Sequence, residues 1–230
     1  MRLLVTRPEP DATRSATLLR ARGHDVLVAP VLATHTIEAD IGGPYGAVLM
    51  TSANAARAAA HDVTLRQLPV FAVGERTAEA ARERGYANVV SAGGALPELV
   101  QLIATRLAAC SGRLLYLAGE DRSGDLGGDL AAHGLKVDTV VIYRVVAAER
   151  LPAELGQALS AGQLDAALHY SARSAATVRR LAGEAGALNA LLGLTHYCLS
   201  EAVAAPLRDA GAQRIAIAPR PDEAALLGLI

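Results

Sequence analysis

Two stretches, AVLMTSANAARAA (47–59) and AALHYSARSAATV (166–178), share one pattern: a buried apolar strand, a short turn containing serine, and an alanine-rich helix. The likeness extends along the chain. With Leu3 set against Leu114, the segment LLVTRPEPD to LLRARGHDVLVAPVL runs beside LLYLAGEDR to DLAAHGLKVDTVVIY, so that Gly23 meets Gly134 and Val26 meets Val137. Ser52 then meets Ser171, FAVGERTAEAARERG meets YCLSEAVAAPLRDAG with Gly85 on Gly211, and ALPELVQLI meets PDEAALLGLI. A repeat of this length implies two homologous units.

Within the units, the runs RLLVT, DVLVAPVL, AVLMTS, VFAVG, VVSA, RLLYLAG, VDTVVIYRVV, LDAALHYS, THYCLS and RIAIAP read as strands, and almost every one leads into an Ala/Leu/Arg helix. In DATRSATLLRARG, Asp11 suits an N-cap and Gly23 a C-cap. Apolar strands alternating with helices predict an α/β fold of parallel sheets covered on both faces. Two divisions of the chain are open. One cut near residue 110 gives tandem domains. Two cuts, at APVLATHTIEAD and YRVVAAERLPAEL, make residues 35–146 one domain and join 1–33 to 148–230 as the other. Domain size suits both divisions. The two Pro-containing extended segments, near 30–38 and 143–150, favour the double cut, because LAACSGRLLY around Cys110 has no linker character.

Composition removes several classes of function. Aromatic residues make up 3% of the 230, with no Trp, so few rings are available to stack nucleobases. A net charge of −1 leaves no basic footprint for a duplex. Cys110 and Cys198 have no CxxC partner and read as free thiols of a reducing compartment. The start MRLLVTRPEPD lacks a signal-peptide core, and no apolar run approaches a membrane span. The expectation is a cytoplasmic protein that binds neither nucleic acid nor membrane. No long apolar stripe suggests an interface, so a monomer is expected.

The informative residues lie where strands end and helices begin, the place where parallel α/β sheets bind ligands. These turns are TRPEPD, TSANA, VGERTA, AGEDRSGD, YSARSA, LSEAVA and APRPDEA. Each places a small or polar residue near a helix start, where unpaired N–H groups attract anions. Any one of them reads more readily as an ordinary cap; their number points to an anionic ligand. Walker, dinucleotide-fingerprint, GxSxG and HExxH motifs are missing, which disfavours a nucleotide-binding enzyme. The six histidines show no metal spacing, although His169 and His196 end strands at equivalent edges. Tyr143, late in VDTVVIYR, suits a structural or a functional role.

In order and spacing, LLVTRPEPDATRSATLLRARGHDVLVAPVL, TSANA, AVGERTAEAARERG, LYLAGEDR, VIYRV and YSARSA resemble the uroporphyrinogen-III synthase family over the whole chain. The resemblance implies two doubly wound parallel-sheet domains joined by a two-stranded extended connector, with domain one discontinuous. It implies that the cleft between the domains holds linear hydroxymethylbilane, which is cyclised to uroporphyrinogen III with the last ring inverted through a spiro intermediate. No cofactor or metal is implied, and the only protein partner is a transient one, the preceding pathway enzyme. By resemblance Tyr143 matches the general acid. Thr51, Ser52 and Asn54 match the first substrate turn, and Gly74, Glu75, Arg76 and Thr77 the second. Arg7 suits a substrate carboxylate, and Ser171 and Ser200 occupy the equivalent turns of the other domain. Two departures stand out: Ala202 and Val203 replace threonines common in the family, and Arg173 stands where the first copy has Asn54. The rival reading is a non-catalytic two-lobed module that binds a tetrapyrrole or another anion.

Overall fold

The computed structural model describes residues 1–59, 63–107, 112–122 and 124–230. They divide into two compact units, Met1–Ala33 with Val146–Ile230 (unit 1) and Thr34–Val145 (unit 2). Unit 1 opens with β1 (Arg2–Val5), α1 (Asp11–Ala21) and β2 (Asp25–Val28), and the chain leaves along β3 (Leu32–Thr36). Unit 2 runs β4 (Tyr45–Met50), α2 (Ala53–Ala58), β5 (Val70–Ala72), α3 (Glu75–Glu83), β6 (Val89–Ser91), α4 (Leu96–Leu107), β7 (Arg113–Gly119), α5 (Leu126–Ala131) and β8 (Val137–Ala147). Unit 1 is completed by α6 (Ala153–Ser160), β9 (Ala166–His169), α7 (Ala172–Glu184), α8 (Leu188–Leu192), β10 (Thr195–Cys198), α9 (Glu201–Arg208), β11 (Ile215–Ile217) and α10 (Glu223–Leu227).

The sheet of unit 1 has the order β11-β10-β9-β1-β2, and that of unit 2 the order β3-β8-β7-β4-β5-β6. All pairings inside the two five-stranded cores are parallel. Under the repeat alignment β9, β10, β11, β1 and β2 correspond to β4, β5, β6, β7 and β8. The two cores therefore have one spatial order, entered by the chain at different strands. The sixth strand, β3, lies in the segment near 30–38 that was expected as one part of a two-stranded connector. β2, the edge strand of its sheet, ends at Val28 shortly before Pro30, and the chain then pairs β3 with β8. The Ile37 N–H donates to Ile142 O at 2.8 Å and the Ala148 N–H to Val31 O at 2.9 Å, the opposed register of an antiparallel pair.

Parallel strands need long crossovers, and the helices in those crossovers bury both faces of the sheet. In unit 2 the strand period of two sorts the core accordingly. Ala47, Leu49, Leu114 and Tyr116 pack in one cluster, and Val48, Met50, Leu115 and Leu117 in another. Each such leucine is fully buried, a gain of about 1.5–3 kcal/mol over exposure. Gly23 has φ +84° just past α1, the left-handed conformation that stops a helix. Asp11 departs from its expected role: it is the first helical residue, and its carboxylate lies 3.7 Å from Arg7 and 3.8 Å from Arg14. The two arginines hold the side chain that would otherwise cap.

Cys198 is a free buried thiol whose pKa burial pushes up to about 12; Cys110 lies outside the described residues. His169 and His196 do meet, on adjacent strands β9 and β10. His169 Nε2 lies 3.0 Å from His196 Nδ1, and both residues are fully buried. Burial lowers the pKa of His169 to about 3, helped by His196, and that of His196 to about 4. The unfolded chain takes up these protons near the ordinary value of 6.5, so below that pH it binds more protons than the fold does. Stability is thus full above about pH 6.5 and falls as the pH drops towards 3. Chemical denaturation followed at β9 is expected to show this acid loss in the native protein and much less in a His169→Phe/His196→Leu variant. Equal pH profiles for the two proteins would contradict it.

Candidate functional site

At the centre of unit 2 the crossovers from β4 and β7 depart in opposite directions, which leaves a crevice at the carboxyl ends of these two paired strands. A pocket of about 320 Å³ opens there, lined among others by Thr51, Ser52, Tyr116, Gly119, Arg122 and Tyr143. That volume is at the small end for a ligand site and suits about one substituted ring rather than a long molecule. A larger hollow of about 710 Å³ in the same unit has Glu38 and Asp40 among its described lining residues.

Each side chain of the pocket has a local cause. Ser52 is extended and caps α2, with its hydroxyl accepting from the Asn54 N–H at 3.2 Å. Thr51 shares the face of Ala47 and Leu49, and its Oγ1 lies 2.8 Å from the Tyr116 hydroxyl, whose ring sits on that face of β7. Tyr143 reaches the crevice through an irregularity. The register of β7 with β8 runs Ala118 to Val141 and then Gly119 to Tyr143, so Ile142 is one extra residue. Such a bulge resets the side-chain alternation. Val140 and Ile142, then Tyr143 and Val145, consequently pack against one and the same cluster.

Tyr143 is 8% exposed. Burial is the main cause that raises its pKa above the usual 10; the Ser52 hydroxyl opposes the shift, and Tyr116 and Asp121 add to it. The phenol therefore keeps its proton throughout the neutral range and has one to donate. Arg122, at the mouth, is exposed and donates from its NH1 to Gly119 O at 3.2 Å. With Asp121, which also lines the pocket, it gives the lining one charge of each sign.

Of the residues picked out from the sequence, Thr51, Ser52 and Tyr143 come together here. Asn54 does not line the pocket; its Oδ1 accepts from Arg57 at 3.1 Å. Gly74 caps α3 through its backbone, next to Gly94 of the pocket wall. Glu75 is exposed and bonded to Arg82, which holds its carboxyl below the usual range. Arg76 is exposed and Thr77 is buried in α3. In unit 1, Ser171 caps α7 by accepting from the Ser174 N–H at 3.1 Å. Ser200 stands at the N-cap of α9 without a side-chain bond, Ala202 is exposed, and Val203 is buried in the core. Arg7 is 4% exposed and donates to Glu223 at 2.9 Å and Ser15 at 3.0 Å, with its guanidinium 4.0 Å over the Tyr170 ring. Arg173 is exposed.

Tyr116, Gly119 and Arg122 were not among the residues singled out. Gly119 and Arg122 belong to the AGEDRSGD turn, whose position at a strand end was the available signal. Tyr116 carried no local signal, because its partner Thr51 is remote in sequence. Among the described residues no group of three His, Cys, Asp or Glu is placed to hold a metal ion, and no helix is long and apolar enough to cross a membrane.

A family model described as uroporphyrinogen-III synthase HemD matches residues 13–228. Among solved structures, the chain is similar to the uroporphyrinogen-III synthetase of Helicobacter pylori 26695, at 19% identity over 100% of this chain and 98% of that one, with a TM-score of 0.66. It is also similar to a mutant uroporphyrinogen III synthase of the extremely thermophilic bacterium Thermus thermophilus, at 20% identity over 100% and 97% of the two chains, with a TM-score of 0.52. At such identities the structural likeness speaks for the two-domain α/β fold. Comparison with curated proteins finds no match.

Removing the Tyr116 hydroxyl leaves Thr51 without its partner. Tyr116→Phe is expected to cost unit 2 about 1 kcal/mol. Adding Thr51→Val, which removes the stranded hydroxyl as well, should cost little more. Urea denaturation of the single and double variants checks this; additive losses would rule out a shared bond.

Proposed function

The chain belongs to the uroporphyrinogen-III synthase family, lyases of porphyrin biosynthesis, and we propose that its unit 2 pocket holds the reacting end of hydroxymethylbilane during cyclisation. The observation that carries this reading is the buried phenol of Tyr143, kept protonated at the crevice beside the Ser52 turn.

The substrate is a flexible polyanion with acetate and propionate groups. Strand-end turns of both units bind it through backbone N–H groups and hydroxyls, with Thr51 and Ser52 in unit 2 and Ser171 and Ser200 in unit 1. The Gly74 turn contributes its backbone, while Glu75, Arg76, Thr77 and Asn54 shape the helix starts around it. Arg122 meets a carboxylate at the pocket mouth. Arg7 acts indirectly, by fixing the strand-end turn of unit 1 through its bond to Glu223.

Tyr143 donates its proton to the hydroxymethyl oxygen, the C–O bond breaks, and water leaves an electrophilic azafulvene. The freed methylene carbon bonds to the substituted end of the last ring and forms the spiro intermediate. That intermediate breaks the ring's older link and recloses with the ring turned over; a ring proton is released, so the net change is the loss of water. Unaided closure gives the uninverted isomer readily. The enzyme's main task is therefore to hold the chain in the spiro-forming geometry, catalysis by orientation and differential binding. This chemistry draws on no cofactor. We place it in the cytoplasm, carried out by a monomer.

Purified protein given fresh hydroxymethylbilane, with oxidation and chromatographic separation of the products, is expected to yield chiefly the type III porphyrin. Type I alone, at the buffer rate, would sink the catalytic reading and leave an anion-binding module. Tyr143→Phe should lower kcat by about 10²-fold, the low end for a general acid, without abolishing type III product. An unchanged kcat would remove Tyr143 from the proton transfer.

A further inference from the structure

Three features converge on one ring. The first is the bulge at Ile142, which turns Tyr143 onto the face of β7 that carries Leu115 and Leu117. The second is the next outward position on that face, Gly119, which the period of two places directly beneath the phenol. The third is the space itself. A Cβ at Gly119 would lie 2.6 Å from Tyr143 Cζ, 2.7 Å from its hydroxyl oxygen and 2.9 Å from Cε2. Real Cβ contacts do not come so close, so any other residue would displace the ring. The backbone of Gly119 is not in the left-handed region, so a turn does not require glycine here; the approach of the phenol does. The Glu120 N–H also donates to Tyr143 O at 2.9 Å, which ties the same turn to the residue it seats. Nothing comparable constrains Gly23 or Gly134, where an added Cβ would meet nothing within 4 Å.

We infer that Gly119 is a positioning residue: its missing side chain, with the β8 bulge, seats the Tyr143 hydroxyl at the crevice. The inference rests on the reading of Tyr143 as proton donor for its catalytic consequence, but its geometric content stands apart from that reading. Gly119 touches no reacting atom in this scheme. It acts by fixing where the phenol lies and how deeply the phenol is buried.

The test is Gly119→Ala, read in two independent ways. The first is spectroscopic. Ionisation of Tyr143, isolated as the difference between each protein and its Tyr143→Phe counterpart, is expected to move down towards 10 when alanine lifts the ring into water. An unmoved titration would overturn the inference. The second is kinetic. Gly119→Ala should lower kcat by roughly the factor that Tyr143→Phe does while KM changes less than threefold, about 0.65 kcal/mol of binding at most. It should cost nothing further in the Tyr143→Phe background. Additive losses would show that Gly119 acts on something other than Tyr143, which would also overturn the inference. If Tyr143→Phe alone leaves kcat unchanged, the donor reading fails, and the spectroscopic arm still decides the positioning. Should Gly119→Ala fold poorly, Gly119→Ala/Tyr143→Leu is expected to recover stability without activity, because leucine vacates the contested space. No recovery would count against the clash.

Discussion

Strand β4 pairs with β7 in the parallel register Val48 to Leu115 and Leu49 to Tyr116, and the crossovers that follow these two strands travel to opposite sides of the sheet. A loop from one side and a loop from the other cannot close over the same spot, so the strand ends stay open between them. Every feature of the unit 2 pocket is fixed relative to this gap. Thr51 and Ser52 continue β4; Tyr116 and Gly119 belong to β7; Tyr143 comes from β8 on the far flank of β7. Because the sheet is buried on both faces, the strands cannot slip by a residue without turning a row of leucines into the wrong layer. The positions of the pocket side chains therefore inherit the rigidity of the core.

The two copies use the same crevice differently. In unit 1 the corresponding strands are β9 and β1, and the alignment sets Arg7 against Ala118. Arg7 places its guanidinium over Tyr170 and binds Glu223, which also accepts from Ser15 at 2.5 Å and lies 2.8 Å from Arg14. This cluster joins the turn after β1 to α10, the last helix of the chain, and so ties the two separated pieces of a discontinuous domain. A buried charge is tolerable only with such partners; loss of one of them would strand the others at a cost of about 3–5 kcal/mol. In unit 2, Ala118 is too small to enter its crevice, and a pocket stands open there. One copy fills its strand-end crevice with an arginine cluster, the other leaves a pocket open.

The phenol at that pocket also shows how a regular sheet acquires a specific site. An uninterrupted β8 would turn Tyr143 to the same face as Val141. The inserted Ile142 reverses it, and glycine opposite leaves the room it needs. Burial then holds the proton in place.

Alternating hydrophobic runs and capped helices made the α/β class, the duplication and most strands legible without coordinates, because strand and helix periodicities are local properties of the chain. The serine turns were legible for the same reason: Ser52 and Ser171 act on N–H groups two and three residues away. What was not legible depended on partners distant in sequence. The pairing of β3 with β8, the commitment of Arg7 to Glu223 and the Thr51–Tyr116 bond all arise from contacts that folding creates. The side on which Tyr143 lies is decided by the register between β7 and β8. A bulge leaves no mark in residue order, since its extra residue is extra only relative to the strand beside it.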